Sequence, residues 1–254
     1  MFSTMKTNHL MRSTPILKIH KNRHLLYEAT ANIIVDKANL AIQKKEKFTI
    51  CLSGGKTPRP LYQLLAEPEY LAKINWKKAH VFFSDERCVP DTHEDSNYGM
   101  IYDLLLKKTA IPKSQIYKID GSKTPRKAAQ AYTQILQVFY GAAKPSFDIA
   151  LLGMGVDGHI ASMFPGTDAV KMVRKRVREV YIGKKSPWSV TLTGSVFNQS
   201  KNLLVLVTGK KKAATLKEVL EGEYQPDKSP AQLLRNAKGE VVWILDEGAA
   251  SELS

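Results

Sequence analysis

The sequence predicts an α/β protein with an open, mostly parallel sheet and helices on both faces. Short apolar runs alternate along the chain with segments whose apolar residues recur at helical spacing. Several of these runs lead directly into a polar or glycine-rich turn. Such alternation is typical of parallel strands that are buried on both faces. The 254 residues contain no internal repeat and no low-complexity linker, so we predict one domain over residues 1–254.

The predicted elements follow one another in regular order. Strands are predicted at residues 16–20, 48–52, 79–83, 147–152, 179–183, 190–193, 203–208 and 241–245. Long helices are predicted at residues 23–43, 126–140 and 211–220, and shorter ones near residues 61–65 and 101–105. Residues 1–15 are a candidate disordered stretch. Open sheets of this kind bind ligands beyond the carboxyl ends of their strands, so the segments after the strands are where a site is expected.

Composition narrows the classes of partner. Lysine and arginine total 38 against 24 acidic residues, and the formal net charge of +14 favours an anionic partner. Nucleic acid is not predicted, because the basic clusters lack interleaved aromatic residues and no zinc-finger or basic-arm pattern occurs. A membrane span is not predicted either, because no run approaches the required ~18 apolar residues. Two cysteines, Cys51 and Cys88, are too few for a disulfide framework, which favours a cytoplasmic location.

The first glycine loop, residues 53–58 (SGGKTP), follows the predicted strand 48–52. Gly54 and Gly55 let the backbone approach a ligand closely, and the start of the next helix offers free N–H groups with partial positive charge. Thr57 fits the N-cap of that helix, and Pro58 fits its first position. The segment therefore predicts a phosphate site that includes Lys56. A tight turn before a capped helix, with no ligand, explains the same residues.

Two further charged segments follow predicted strands. Residues 84–87 read SDER, and Arg87 presents a planar fork that suits an oxyanion or a carboxylate. Residues 209–213 read GKKKA at the predicted start of a helix, where three lysines oppose the helix dipole unless an anion binds there. Taken alone, residues 84–87 are better explained as a solvated loop, and residues 209–213 are equally well explained as an exposed cluster.

The second glycine loop, residues 153–159 (GMGVDGH), matches G-x-G-x-x-G, but the dinucleotide interpretation fails. Glu179 precedes the next apolar run instead of closing it, and Pro165 ends the following helix after roughly two turns. The Walker pattern of the first glycine loop also fails, because Ile50 stands where a glycine is required. What remains is His159, two residues after Asp157, at the end of a strand. Its ordinary pKa suits proton transfer near neutrality, which favours a catalytic role over a structural one.

Taken together, these segments resemble the 6-phosphogluconolactonase family. The DER-x-V-P and DGH-x-A-S-x-F-P-G patterns are the most specific, and the resemblance spans residues ~45–250 in order. The matching stretches are LSGGKTP (52–58), SDERCVP (84–90) with SN (96–97), GMGVDGHIASMFPG (153–166), TLT (191–193), GKKKA (209–213), SPAQL (229–233) and VWILDEGAA (242–250).

The resemblance implies a Rossmann-like fold and hydrolysis of 6-phospho-D-glucono-1,5-lactone in the oxidative pentose phosphate pathway, without metal or other cofactor. In that reaction His159 would act as general base on water, Asp157 would orient it, and Arg87 would stabilise the oxyanion. The partner would be a small phosphorylated sugar lactone, and the protein a monomer or weak homo-oligomer. The implied substrate-binding residues are Gly54, Gly55, Lys56, Thr57, Asp85, Gly155 and Lys212.

The chain departs from the family pattern at Ser189, just before TLT, where the family usually has a phosphate-binding arginine. Lys56 stands where serine is common and is our candidate for the replacement charge. Two alternatives stay open. A glucosamine-6-phosphate deaminase resembles this pattern, but it has D-E-Y in place of DER and N-E-P-G in place of MFPG (163–166). A non-catalytic phosphosugar-binding protein would need none of His159, Asp157 and Arg87.

Overall fold

The computed structural model describes residues 15–171, 175–183 and 188–254. The strands are β1 (Ile16–His20), β2 (Phe48–Leu52), β3 (Ala79–Phe83), β4 (Asp85–Arg87), β5 (Ile116–Tyr117), β6 (Ile149–Gly153), β7 (Val177–Tyr181), β8 (Trp188–Leu192), β9 (Asn202–Val207) and β10 (Glu240–Asp246). The helices are α1 (Arg23–Lys45), α2 (Arg59–Leu65), α3 (Pro68–Lys73), α4 (Asn97–Leu104), α5 (Pro125–Tyr140), α6 (Asp168–Lys171), α7 (Gly194–Phe197), α8 (Ala213–Glu221) and α9 (Glu247–Ala250).

Seven strands form one sheet in the order β1-β10-β9-β6-β2-β3-β5, and every pair in it is parallel. The predicted α/β class and open parallel sheet are confirmed. Strands β2 and β9 are buried along their whole length, because helices flank the sheet. Apart from Pro15, the candidate disordered stretch lies outside the described residues. None of the helices in the described ranges is long and apolar enough to cross a bilayer.

A second, three-stranded antiparallel sheet in the order β4-β8-β7 was not predicted. The prediction of a polar loop directly after β3 is wrong. Residues 85–87 form a strand that pairs with β8, from Asp85↔Thr191 to Arg87↔Ser189. This strand carries polar residues of low strand propensity, and it forms because its partner strand supplies the hydrogen bonds. Because β4 follows β3 after one residue, the small sheet lies beside the carboxyl end of β3.

Three local predictions are also corrected. Thr57 is not an N-cap: α2 begins at Arg59, Pro58 occupies the cap position, and no side chain caps the helix. No helix follows His159 directly, because residues 160–163 form turns around two isolated bridges and the next helix starts at Asp168. The lysines at 210–212 form a 3₁₀ turn, and α8 begins only after them, at Ala213.

The order of the strands indicates where a ligand is expected. From β2 the chain moves outwards through β3 to β5, and from β6 it moves the other way through β9 to β10. Strands β2 and β6 are neighbours, so the direction of travel reverses between them. Open α/β sheets hold their ligands beyond the carboxyl ends of the strands at such a point. The first and second glycine loops leave β2 and β6 there.

The opposite end of the sheet carries a buried carboxylate. Asp148 Oδ2 accepts hydrogen bonds from the backbone N–H and the hydroxyl of Thr49 at 2.8 and 2.9 Å. Lys45 Nζ lies 2.8 Å from Oδ2, and Lys201 Nζ lies 3.1 Å from Oδ1. Burial acts to raise the pKa of Asp148, but the bonds from Lys45 and Thr49 outweigh it, so this pKa lies below its ordinary value.

We expect Asp148→Asn to lower the free energy of unfolding by about 2 kcal/mol at pH 7, because buried hydrogen bonds to a charged group are lost. A depressed native pKa contributes stability above the unfolded value of about 4, and this contribution disappears as the pH falls through the native pKa. The difference between the two proteins should therefore shrink below about pH 4. Urea unfolding from about pH 2 to pH 7 measures it, with Asp103→Asn in an exposed Lys107 pair as the control. A difference independent of pH contradicts this account.

Candidate active site

A cavity of about 400 Å³ opens at the carboxyl ends of β2 and β6. Every predicted site residue except Asp157 lines it: Gly54, Gly55, Lys56, Thr57, Asp85, Arg87, Gly155, His159 and Lys212. The structure adds Asn97 and Ala161 to these walls. A wider groove of about 870 Å³ runs along α5 and β7, but its described lining offers no histidine. The smaller cavity is therefore the candidate site.

The first glycine loop presents backbone donors to this cavity. Within the described parts of the chain, none of the N–H groups of residues 54–57 donates to a protein acceptor. Gly55 has a φ of +90°, which glycine adopts without strain and which turns the loop back on itself. The Tyr27 hydroxyl donates to the Thr57 carbonyl at 2.8 Å and holds the far end of the loop. Consecutive free N–H groups form a concave site for an anion.

The second glycine loop orients the histidine. His159 Nδ1 lies 2.5 Å from Asp157 Oδ1. A carboxylate only accepts hydrogen bonds, so this contact assigns the proton to Nδ1 and leaves Nε2 as the basic nitrogen. The imidazole also packs on the Phe164 ring at a centroid distance of 4.2 Å. Asp157 thus acts on the cavity through His159 rather than by lining it.

Gly155 is required by the side chain that it faces. A Cβ atom at this position would lie 2.2 Å from His159 Nδ1 and 2.6 Å from Asp157 Oδ1. Any other residue would therefore displace the histidine or the aspartate. The Gly155 N–H also donates to the His159 carbonyl at 2.9 Å, which closes the loop. The predicted role of Gly155 in binding substrate remains a prediction, whereas its packing against the pair is direct.

Asp85 is a buried carboxylate on the opposite wall. Its two oxygens accept from the hydroxyls of Ser84 at 2.6 Å and Ser162 at 2.7 Å. The Ser84 hydroxyl lies 2.8 Å from that of Ser53, which donates to the Leu151 carbonyl. This chain of hydroxyls links β2, β3 and β6 beneath the cavity. It holds Asp85 without neutralising its charge.

Arg87 lies at the end of β4, directly opposite Ser189 on β8. Ser189 is fully buried, and its hydroxyl has no partner among the described residues. It does not line the cavity, and the preceding Ser186 and Pro187 lie outside the described residues. Among the described residues of this sheet, Arg87 is the cation that lines the cavity.

Lys212 reaches the cavity from the 3₁₀ turn before α8. Its ammonium group donates to the Met154 carbonyl in the second glycine loop. Burial lowers the pKa of Lys212. The negative charge of Asp246 acts to raise this pKa, and the positive charge of Arg23 acts to lower it further. Among the described lining residues, Lys212, Lys56 and Arg87 are cationic and Asp85 is the one carboxylate, so the cavity favours an anion.

Comparisons with known proteins show the family of this chain. A profile for the family described as glucosamine-6-phosphate isomerases/6-phosphogluconolactonase matches residues 21–243. The chain belongs to this family. It is 35% identical to 6-phosphogluconolactonase 3, chloroplastic, of Arabidopsis thaliana, over 96% of this chain and 79% of that protein. It is also 35% identical to the 6-phosphogluconolactonase of a Nostoc species, over 90% and 94%. The resemblance seen in the sequence is confirmed.

Solved structures of the glucosamine-6-phosphate isomerase/6-phosphogluconolactonase family share the fold. The 6-phosphogluconolactonase of Trypanosoma brucei superposes with a TM-score of 0.85 at 30% identity, covering 94% of this chain and 99% of that one. A monomeric glucosamine-6-phosphate deaminase has a TM-score of 0.81 over 93% and 98%, but at 22% identity it shares the fold alone.

Sequence reasoning did not assign two residues of this family member that shape the cavity. Asn97, the first residue of α4, lines the wall next to Gly54. Glu86, which is 2% exposed, accepts hydrogen bonds from the backbone N–H groups of Arg87, Asn97 and Tyr98, each at 2.7 Å. Burial raises the pKa of Glu86 to about 7, while these backbone bonds act to lower it. Both residues lie inside the stretches that resemble the family. Nothing in the local sequence shows that Glu86 binds backbone N–H groups while the neighbouring Asp85 lines the cavity.

Proposed function

We propose that this protein hydrolyses 6-phospho-D-glucono-1,5-lactone to 6-phosphogluconate. One observation carries the proposal: the His159–Asp157 pair and the free N–H groups of the first glycine loop meet in one cation-rich cavity. The relatives at about 35% identity are named 6-phosphogluconolactonases. A single domain, a cytoplasmic location and a monomer or weak homo-oligomer belong to the same proposal, although several plant relatives are named chloroplastic.

The substrate phosphate binds the backbone N–H groups of residues 54–57, where Lys56 and Lys212 add positive charge. This leaves the lactone ring across the cavity, between His159 and Arg87. The cavity volume of about 400 Å³ is in the range of small-ligand sites. The sugar is thus held by its charged end while the carbonyl lies near the histidine.

The reaction uses water as the nucleophile. His159 Nε2 takes a proton from water as its oxygen bonds to the lactone carbonyl carbon. Arg87 stabilises the negative charge that develops on the carbonyl oxygen. The carbon–oxygen bond of the ring then breaks, and the ring oxygen receives the proton to become a hydroxyl group. Asp157 keeps the proton of the imidazole on Nδ1 throughout and stabilises the imidazolium.

Two observations weigh against the alternatives. A protein that only bound a phosphosugar would need the glycine loop and the cations, but not a histidine fixed by a carboxylate at 2.5 Å. The chain reads DER at 85–87 and MFPG at 163–166, whereas the deaminase pattern has D-E-Y and N-E-P-G there.

The proposed function is tested by turnover of freshly generated lactone above its spontaneous hydrolysis, with ammonia release from glucosamine-6-phosphate assayed in parallel. We expect lactone turnover and no ammonia. Ammonia release without lactone turnover would establish the deaminase alternative. If neither substrate is turned over, the non-catalytic alternative is established.

We expect His159→Ala to lower kcat by ~10²–10⁴, because the general base is lost while the binding groups remain. Steady-state kinetics of lactone hydrolysis measures this. The matched control is His24→Ala, which removes an exposed histidine from another carboxylate pair, with Glu28 on α1. A near-normal kcat in His159→Ala removes this residue from the mechanism.

We expect Lys56→Ser to raise KM about tenfold with little change in kcat, because a charge-assisted contact to the phosphate contributes equally before and during the reaction. The control is Lys44→Ser, the same change of charge at an exposed site near the opposite end of the sheet. An unchanged KM refutes the proposal that Lys56 provides the charge that Ser189 does not.

A further inference from the structure

The side chain of Asn97 is fixed between two walls of the cavity. Its Nδ2 donates to the Asp85 carbonyl at 3.0 Å, which assigns the orientation of the amide because a carbonyl only accepts. Its Oδ1 lies against Gly54 so closely that a Cβ atom there would be 1.7 Å away. Asn97 therefore occupies space that only a glycine at position 54 leaves free. It stands between the first glycine loop and Asp85.

This carboxamide retains unused hydrogen-bonding capacity on the cavity side. One of the two Nδ2 hydrogens bonds Asp85, and Oδ1 accepts no hydrogen bond from any described residue. A free N–H beside a free carbonyl oxygen matches a hydroxyl group, which both donates and accepts. The oxygens of a phosphate dianion only accept, so Oδ1 would repel them. The chemistry of this wall therefore fits a sugar hydroxyl rather than the phosphate.

A buried acid determines where Asn97 lies. Glu86 Oε1 accepts from the Asn97 backbone N–H, and Oε2 accepts from the Tyr98 backbone N–H and, at 3.2 Å, from the Ser96 hydroxyl. Ser96 in turn caps α4 by accepting from the Gly99 N–H. Glu86 thus satisfies the free donors at the start of α4 and ties the helix to β4. Since Asn97 is the first residue of α4, this contact sets its position.

We propose that the Asn97 carboxamide binds a ring hydroxyl of the sugar, and that Glu86 is the positioning residue that holds Asn97 in the cavity. The proposal rests on the proposed function for the identity of the sugar phosphate. Asn97 makes its contact directly, and Glu86 acts only through the start of α4. Together they give the site a means to distinguish a sugar phosphate from other phosphates of similar charge.

The first experiment separates hydroxyl binding from phosphate binding. Asn97→Ala is expected to raise the dissociation constant for 6-phosphogluconate about tenfold and to change that for inorganic phosphate less than twofold. Isothermal titration calorimetry measures both. Equal weakening toward both ligands would place Asn97 at the phosphate, and unchanged binding of 6-phosphogluconate would remove it from the site. Either result overturns the assignment.

The second experiment tests whether Glu86 acts through Asn97. Glu86→Gln places an amide N–H against the N–H of Tyr98 or Asn97 and should raise the dissociation constant for 6-phosphogluconate about five- to tenfold. In an Asn97→Ala background the same change should have less than a twofold further effect. If the two substitutions raise the dissociation constant by factors that multiply in the double variant, Glu86 does not act through Asn97. Asp148→Asn, the loss of another buried carboxylate, is the control that lowers thermal stability without changing binding.

A third variant covers the case in which Glu86→Gln does not fold. Ser96→Ala removes one Glu86 contact and the cap of α4, and is expected to weaken 6-phosphogluconate binding about two- to threefold with phosphate binding unchanged. A fall in thermal stability with an unchanged dissociation constant overturns the positioning role. These measurements follow binding, so a protein that binds 6-phosphogluconate without hydrolysing the lactone would overturn the proposed function alone.

Discussion

The site depends on the pairing of β2 with β6 in the middle of the sheet. The register Ile50↔Ile149 and Cys51↔Ala150 brings the ends of these strands side by side. The Ser53 hydroxyl then donates to the Leu151 carbonyl at 2.7 Å, so the start of the first glycine loop is bonded to the strand that carries the second. Because all seven strands are parallel, their loops open at one edge of the sheet. The backbone pairing thus places the first glycine loop beside the loop that carries His159.

The two ends of the main sheet carry different sets of charged side chains. At the amino end, the Asp148 carboxylate is matched by two lysines and by Thr49. At the carboxyl end the cations outnumber the one lining carboxylate, and burial lowers the pKa of Lys212. A lysine with a depressed pKa is held in its charged form at a cost in stability. An anion bound beside Lys212 would offset this cost, so our proposal links the free energy of folding to the binding of the substrate phosphate.

Patterns within a short window of sequence predicted most of the fold and most of the cavity lining. Apolar runs identified every strand of the main sheet except β5, and glycine and charge after them identified the loops. Contacts between distant residues explain the misses. Strand β4 exists because residues 85–87 pair with residues 189–191, and no local propensity indicates this. Thr57 has the composition of an N-cap, but the Tyr27 hydroxyl holds its carbonyl and the helix begins two residues later.

The positions in the two loops require glycine for different physical reasons. This difference explains why Asn97 was not predicted as a site residue. Gly55 needs its positive φ, a property of the backbone that a turn motif suggests. Gly54 and Gly155 have no such requirement and are needed because Asn97 and His159 occupy the space of a Cβ atom. His159 lies close to Gly155 in the sequence, so the motif includes both residues of that contact. Asn97 lies far from Gly54 in the sequence, and its hydrogen bonds to Glu86 and to the Asp85 carbonyl bring the two together. Gly54 is therefore a glycine because of Asn97, but the sequence alone does not indicate that these two residues are in contact.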